Sequence, residues 1–291
     1  MPELPEVEVT RRCLTPVLVG RTIASVKTTA PSYVFVTAPL GLRKGLMGRR
    51  VLRIDRLGKY LLLRLDDEKT FVIHLGMTGQ LFSSSVTSPR LLSSTARATL
   101  PPEDQTRFEP DSHTHVILGF EDSGSDIYFR DVRKFGKLFL LPKGGIHARL
   151  ERLGIDALKV TGPHLYKASR KRKVAIKALL LDQAVVSGIG NIYADEALFL
   201  AGVRPGRGSS RLTRAESERL SEAVLSVLHR SIETGGSSIS DYVAPNGQDG
   251  AYQDERHVYA RKGEPCKVCG AVIVRRVVAQ RSAHYCPTCQ S

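Results

Sequence analysis

The segment CKVCGAVIVRRVVAQRSAHYCPTC (266–289) holds two Cys-x-x-Cys pairs separated by sixteen residues. Four thiolates complete a tetrahedral zinc shell without a carboxylate, and each pair wraps one side of the ion. The intervening residues fit a β-hairpin. A disulfide pair or an iron–sulfur cluster are the alternatives, and spacing and compartment favour zinc. A shell closed by Cys266, Cys269, Cys286 and Cys289 leaves no position for water, so the expected cofactor is one structural Zn2+ ion per chain. Arg281 falls in the expected hairpin turn, where it either reaches into a groove or stays solvated. Cys13, alone on the first helix, reads as a small core residue.

Upstream, KRKVAIKALLLDQAVVSGIGNIYADEALF (171–199) reads as helix, turn, helix. Gly188 and Gly190 permit a tight backbone, and Asn191 is placed to cap the second helix. Helix N-termini bind phosphate, and Lys173 and Lys177 are placed on the preceding helix. A helix pair need not bind anything. LTRAESERLSEAVLSVLHRSIETGG (212–236) has Thr213 and Glu216 as a capping box. Its apolar stripe is Leu220, Val224, Val227 and Leu228, with Gly235 at the stop.

The N-terminal half has a different texture. Residues 5–19 read as a helix, with Pro5 in the first turn, Glu6 and Glu8 at its positive end, and Gly20 as the stop. Strand-like runs follow at 50–56, 60–65, 70–75, 115–120, 126–130 and 137–141. This predicts a β-sandwich or barrel entered by a helix. Residues 83–112 are rich in Ser, Thr, Pro and Arg without a period, and are expected to form a long mobile loop.

The chain has 291 residues, 42% of them hydrophobic, and a formal charge of +14. More than one domain is expected, and the charge favours a polyanionic partner. No apolar run reaches the roughly 18 residues a membrane helix needs. No signal peptide is expected, because the start is acidic and has no apolar h-region.

Several turns carry chemistry-bearing side chains. LGKYLL (57–62) places Lys59 after a glycine turn. HLGMTG (74–79) places Met77 between glycines, either as packing or as a wedge for a base stack. DVRKFGK (131–137) places Arg133, Lys134 and Phe135 in a turn, as a phosphate clamp with a stacking ring or as a solvated turn with Phe135 inward. At the tip, removal of Met1 presents Pro2 as a secondary amine. An α-amine with a pKa of about 7.7 to 8.0 is partly free base at neutral pH, where an unperturbed lysine is not. Such an amine can attack a sugar C1′, expel the base and form an iminium. Glu3 is near enough to shuttle a proton, and Glu6 to assist. The alternative is an ordinary Pro-Glu helix start.

Taken together, PELPEVE (2–8), LGKYLL, HLGMTG, DVRKFG, GIGNIYADE (188–196), GGSSISDYV (235–243) and QRSAHYC (280–286) resemble the formamidopyrimidine-DNA glycosylases. These motifs run in order from end to end. The resemblance implies an α+β fold: an N-terminal β-sandwich with a leading helix, and a helical helix-two-turn-helix domain ending in a four-cysteine zinc-finger hairpin. The boundaries read as 1–145, 146–262 with a lesion-capping loop, and 263–291. It implies base-excision repair of oxidised purines such as 8-oxoguanine and formamidopyrimidines, by a glycosylase that also nicks the strand. Pro2 would form the Schiff base, Glu3 would assist base departure, Lys59 would act in β-elimination, and Arg281 would bind phosphate and assist δ-elimination. Met77, Arg133 and Phe135 would fill the gap left by the everted nucleotide and contact the orphan cytosine, and His113, Lys173, Lys177 and Asn191 would hold phosphates. The implied partner is damaged double-stranded DNA, bound in a basic cleft by a monomer in a bacterial-type cytoplasm, with no membrane.

Two stretches depart from the family pattern. Residues 83–112 are longer and more serine-rich, and 244–263 shows Ala251-Tyr252 and Ala260-Arg261 where the pattern has an aromatic pair and a Gly-Arg. The rivals are an endonuclease VIII-like enzyme, against which PELPEVE argues, a non-catalytic zinc-ribbon protein of bent DNA, and an RNA-binding protein.

Overall fold

Glu3 ends an extended segment, and the helix α1 (Leu4–Leu18) starts behind it. Pro5 lies in the first turn, where its missing N–H is no loss. Gly20, at φ +89°, turns the chain out of the helix. Leu4, Val7, Leu14 and Leu18 are each at most 1% exposed and form the face of α1 that meets the sheets. The computed structural model describes residues 2–88, 108–238 and 242–291.

Eight strands form two four-stranded antiparallel sheets. One has the order β1 (Ile23–Thr28), β6 (Thr114–Phe120), β7 (Ile127–Asp131), β5 (Gly79–Ser83). The other runs β2 (Val51–Leu57), β3 (Tyr60–Leu65), β4 (Thr70–His74), β8 (Lys137–Leu141). One apolar cluster takes Val26, Leu81, Val116 and Phe129 from the first sheet, Leu61, Leu63, Ile73 and Leu138 from the second, and Leu14 from α1. The sandwich expectation holds, because both sheets feed side chains into this one apolar cluster.

Within the sandwich, three elements escaped the sequence reading: β1, α2 (Pro39–Leu46) and β5. β1 and β5 lie at the edges of their sheet. The expected loop over 83–112 needs correction at both ends. Ser83 belongs to β5. Phe108 is 5% exposed, with its ring 5.1 Å from Phe82 and 5.9 Å from Tyr128. The centre of that stretch, 89–107, lies outside the described residues.

The rest is helical, then the finger. Helix α3 (Gly162–Arg170) is capped by Thr161. Helix α4 spans Ile176–Leu181 and α5 spans Asn191–Leu200. Helix α6 (Arg214–Glu233) packs on α3 and α5. The Thr213–Glu216 capping box is present: Glu216 N–H donates to Thr213 Oγ1 at 3.2 Å, and Thr213 N–H to Glu216 Oε2 at 2.8 Å. The finger hairpin is β9 (Val274–Val278) with β10 (Arg281–Tyr285). Contacts divide the chain into two units, 1–147 with 235–251, and 148–234 with 252–291. Thus 235–251, read as part of the helical segment, groups with the sandwich, and the finger groups with the helices. Among the described residues no helix is long and apolar enough to cross a membrane.

Candidate active site

Pro2 is buried, Glu3 is 2% exposed and Lys59 is 8% exposed. Three chemistry-bearing residues are therefore held within the sandwich unit. α1 packs across β2 and β3, and Lys59 lies in the turn between those strands. Gly58 makes that turn at φ +54°, which favours a residue without Cβ. An ion pair ties the two elements together. Arg56 Nε donates to Glu8 Oε2 at 3.2 Å, and Arg56 Nη1 donates to the Gly58 carbonyl at 2.9 Å. Both side chains are under a tenth exposed. Burial would raise the Glu8 carboxyl, but hydrogen bonds from Arg11 and Arg12 and the nearby Arg56 carry it down to about 2.

Glu6 is an anchor. It is 1% exposed, and its carboxylate accepts from Glu3 N–H and from Ser237 N–H, each at 2.8 Å. Tyr242 Oη donates to the Glu6 carbonyl at 3.1 Å. One side chain therefore fixes both the Pro-Glu tip and the 235–251 segment. Gly236, at φ +86°, passes so near that a Cβ would stand 3.0 Å from Glu6 Oε1.

Two neighbouring turns carry the expected gap-filling residues. Met77 is half-buried in the β4–β5 turn. Arg133 and Phe135 are exposed in the β7–β8 turn, with the guanidinium 4.9 Å above the ring. Phe135 is 47% exposed, so the ring faces outward. Lys134 lies between them at φ +59°, an uncommon conformation for a side-chain-bearing residue. His113 is half-buried in a turn pinned by Asp111, which accepts its N–H at 3.0 Å and pairs with Arg130 at 2.7 Å.

The helical unit corrects three expectations. Lys173 is exposed but lies in the turn before α4, not on the helix. Lys177 is fully buried: its Nζ donates to Asp195 Oδ1 at 2.6 Å and to the Ser282 carbonyl. A side chain so enclosed holds the finger to the helices and does not reach a phosphate. Asn191 is the first residue of α5 behind Gly190 at the cap, and its Nδ2 donates to Ser282 Oγ at 3.2 Å. Its position serves the finger rather than the helix cap.

Two adjacent acids of α5 complete that joint, and the sequence reading passed over both. Asp195 accepts from His284 N–H at 2.8 Å. Glu196 accepts from the N–H groups of His257, Val258 and Tyr259 at 2.8, 2.9 and 2.8 Å. Burial would raise the Glu196 carboxyl, but these donors and the His257 ring hold it below the ordinary range. Their only signal was position, side by side on a helix that follows a tight glycine turn.

In the finger, the four Sγ atoms lie within 4.8 Å of one another, with Cys266–Cys289 at 3.9 Å and Cys269–Cys286 at 3.4 Å. Zinc–sulfur bonds of about 2.3 Å at tetrahedral angles put the sulfurs about 3.8 Å apart, so the four cysteines fit one structural zinc ion. Val268 N–H and Cys289 N–H each point at a sulfur at 3.4 Å, which suits thiolates. Val278 pairs with Arg281, so the turn proper is Ala279-Gln280, both at positive φ (48° and 61°). Arg281 is exposed at the first position of β10 rather than in the turn itself.

Comparison with known proteins follows this geometry. Residues 1–138 match the formamidopyrimidine-DNA glycosylase N-terminal domain, 153–243 its H2TH domain, and 263–291 the zinc finger found in FPG and IleRS. The formamidopyrimidine-DNA glycosylase of Geobacillus kaustophilus is 41% identical over 295 residues, covering 100% of both chains. The crystal structure of the Thermus thermophilus MutM (Fpg) protein has a TM-score of 0.82 at 39% identity, covering 99% of this chain and 98% of that one. A Lactococcus lactis Fpg mutant in complex with DNA containing Fapy-dG has a TM-score of 0.85 at 32% identity, with 100% of both covered. The fold and these matches define a zinc-finger DNA glycosylase, an enzyme of DNA repair. The chain belongs to the formamidopyrimidine-DNA glycosylase family along its whole length.

Proposed function

We propose that this enzyme excises oxidised purines, 8-oxoguanine and formamidopyrimidines, from duplex DNA through an amine at Pro2, and then nicks the strand on both sides. The observation that carries this reading is the buried Pro2-Glu3 tip, fixed by Glu6 at the head of a helix that packs on the two strands joined by the Lys59 turn. Removal of Met1 frees the Pro2 nitrogen. The lone pair attacks C1′, the glycosidic C–N bond breaks, and the departing base takes a proton from Glu3; the ammonium proton then returns to Glu3, which passes it to O4′ as the C1′–O4′ bond opens and the nitrogen lone pair forms the C=N bond. Because the amine is secondary, the resulting iminium has no N–H to lose and stays cationic. It draws electrons, so a C2′ proton becomes acidic and can leave to Lys59. The C3′–O bond then breaks, and a second elimination breaks the C5′–O bond, assisted by Arg281 on the phosphate. Water finally releases the sugar fragment and regenerates the amine.

The lesion must leave the stack first, at a few kcal/mol. Met77 and the exposed Phe135 fill the space, and Arg133 meets the orphan cytosine. His113, Lys173 and Arg281 supply phosphate contacts. Structures of relatives solved with damaged DNA support the substrate class: a Lactococcus lactis complex holds Fapy-dG, and a MutM complex holds carbocyclic 8-oxo-G.

The test is product analysis on a duplex with one 8-oxoguanine opposite cytosine. Wild type is expected to leave phosphate at both ends of the gap, and Pro2→Gly to leave the strand intact. Ends with an unmodified sugar, or full cleavage by Pro2→Gly, would overturn the mechanism.

A further inference from the structure

We infer that Asp131 is a positioning residue that couples the two gap-filling turns and thereby sets the preference for the base opposite the lesion. The inference rests on the proposed roles of Met77, Arg133 and Phe135. Asp131 ends β7 and is 0% exposed. Its Oδ1 accepts from Thr78 Oγ1 at 2.5 Å and from Arg133 N–H at 3.3 Å. Its Oδ2 accepts from Gly136 N–H at 2.7 Å. Its carbonyl accepts from Lys134 N–H at 3.4 Å and from His115 Nε2 at 3.0 Å. Thr78 adjoins Met77, and Gly136 adjoins Phe135. A single carboxylate therefore holds the turn with the wedge and the turn with the arginine.

The two turns also lie back to back. A Cβ on Gly76 would come within 2.5 Å of Gly136 N and of the Phe135 carbonyl carbon, so this glycine at φ +65° is fixed by close approach. Thr78 Oγ1 closes the joint: while donating to Asp131 it accepts from Arg133 N–H at 3.1 Å. His115, 1% exposed, buttresses from below, with Nε2 donating to Asp131 O and Nδ1 accepting from Thr29 Oγ1 at 3.0 Å. A buried carboxylate is costly unless its oxygens are satisfied, and here the donors come from the two turns themselves. Arg133 thus reads the opposite base from a backbone registered against Met77. If that register loosens by about an ångström, the arginine keeps its charge and its hold on DNA but loses its choice between bases.

The test compares single-turnover borohydride-trapping rates on 8-oxoguanine opposite cytosine and opposite adenine. Wild type, Asp131→Asn, Thr78→Val and Thr78→Ser are used, with thermal unfolding of each. Asp131→Asn and Thr78→Val are expected to lower the cytosine-to-adenine ratio about tenfold. Thr78→Ser, which keeps the hydroxyl, should restore it. Thr78→Val decides the matter if Asp131→Asn does not fold. A variant that is less stable or uniformly slower, with the wild-type ratio intact, overturns the inference while the Pro2 chemistry stands. Should wild type form no adduct on either duplex, the Pro2 reading fails instead. The ratio is then read from equilibrium binding to the same duplexes, where a fall supports the coupling and no change overturns it.

Discussion

At the scale of the residue, Glu8 and Lys177 are enclosed charges, each held by partners of opposite sign. Glu8 is anionic in the fold down to a pH of about 2, against an ordinary 4.5. Because its folded value is depressed, its contribution is complete above about pH 4.5 and is lost as pH falls toward 2. A shift of that size corresponds to roughly 3 kcal/mol. Glu8→Gln is therefore expected to unfold more easily at pH 7 and to show a flatter stability profile between pH 5 and 2, read by urea denaturation across that range. A profile as steep as wild type would remove Glu8 from the account. Lys177 and Lys173 separate by a different measurement. Lys177→Met leaves Asp195 buried without its cation and should cost roughly 3–5 kcal/mol of stability. Lys173→Ala should leave stability within about 0.5 kcal/mol and weaken DNA binding. In the sequence these two lysines look alike, four positions apart in one basic run. Only the packing of Ser282 and Asp195 around one of them tells them apart.

At the scale of the element, the finger was the most legible part, because metal-ligand spacing is a property of the chain itself. Its turn was not. Ala279 and Gln280 both take left-handed backbone where hairpins favour Asn-Gly. Such residues each cost on the order of 1 kcal/mol. Replacing them by Asn-Gly is expected to raise zinc affinity about fivefold, measured by chelator competition, since zinc binding and hairpin folding are one event. Unchanged affinity would show the turn to be relaxed. Removing zinc should free 263–291 from hydrogen-exchange protection while the sandwich strands keep theirs. Six of the eight sandwich strands and the capping box at Thr213 were legible from period and caps. Asp131, Asp195 and Glu196 were not, because a carboxylate that organises a buried joint has the same local signature as a solvated one. Phe108 was hidden inside a serine-rich stretch, although a cluster with Phe82 and Tyr128 holds it.

At the scale of the whole molecule, the net charge of +14 is an electrostatic argument about partners and not about the fold. Affinity for abasic duplex should fall with salt, with a slope of log K against log salt steeper than about −3 if four or more phosphates are neutralised. A flat response would contradict a phosphate-bound clamp. The chain's return to the sandwich unit at 235–251, secured by Glu6, was not readable from composition, since its anchor lies more than 200 residues away in sequence. The Pro-Glu tip was readable only because chemistry-bearing motifs elsewhere gave it a context. The most direct measurement is therefore at that tip. Borohydride is added to wild type and Pro2→Gly on duplex bearing 8-oxoguanine opposite cytosine, and the adduct is mapped by mass spectrometry. The account predicts a covalent DNA adduct on the Pro2 nitrogen in wild type and none in the variant. An adduct on Lys59, or none from zinc-loaded protein shown to begin at Pro2, would contradict it.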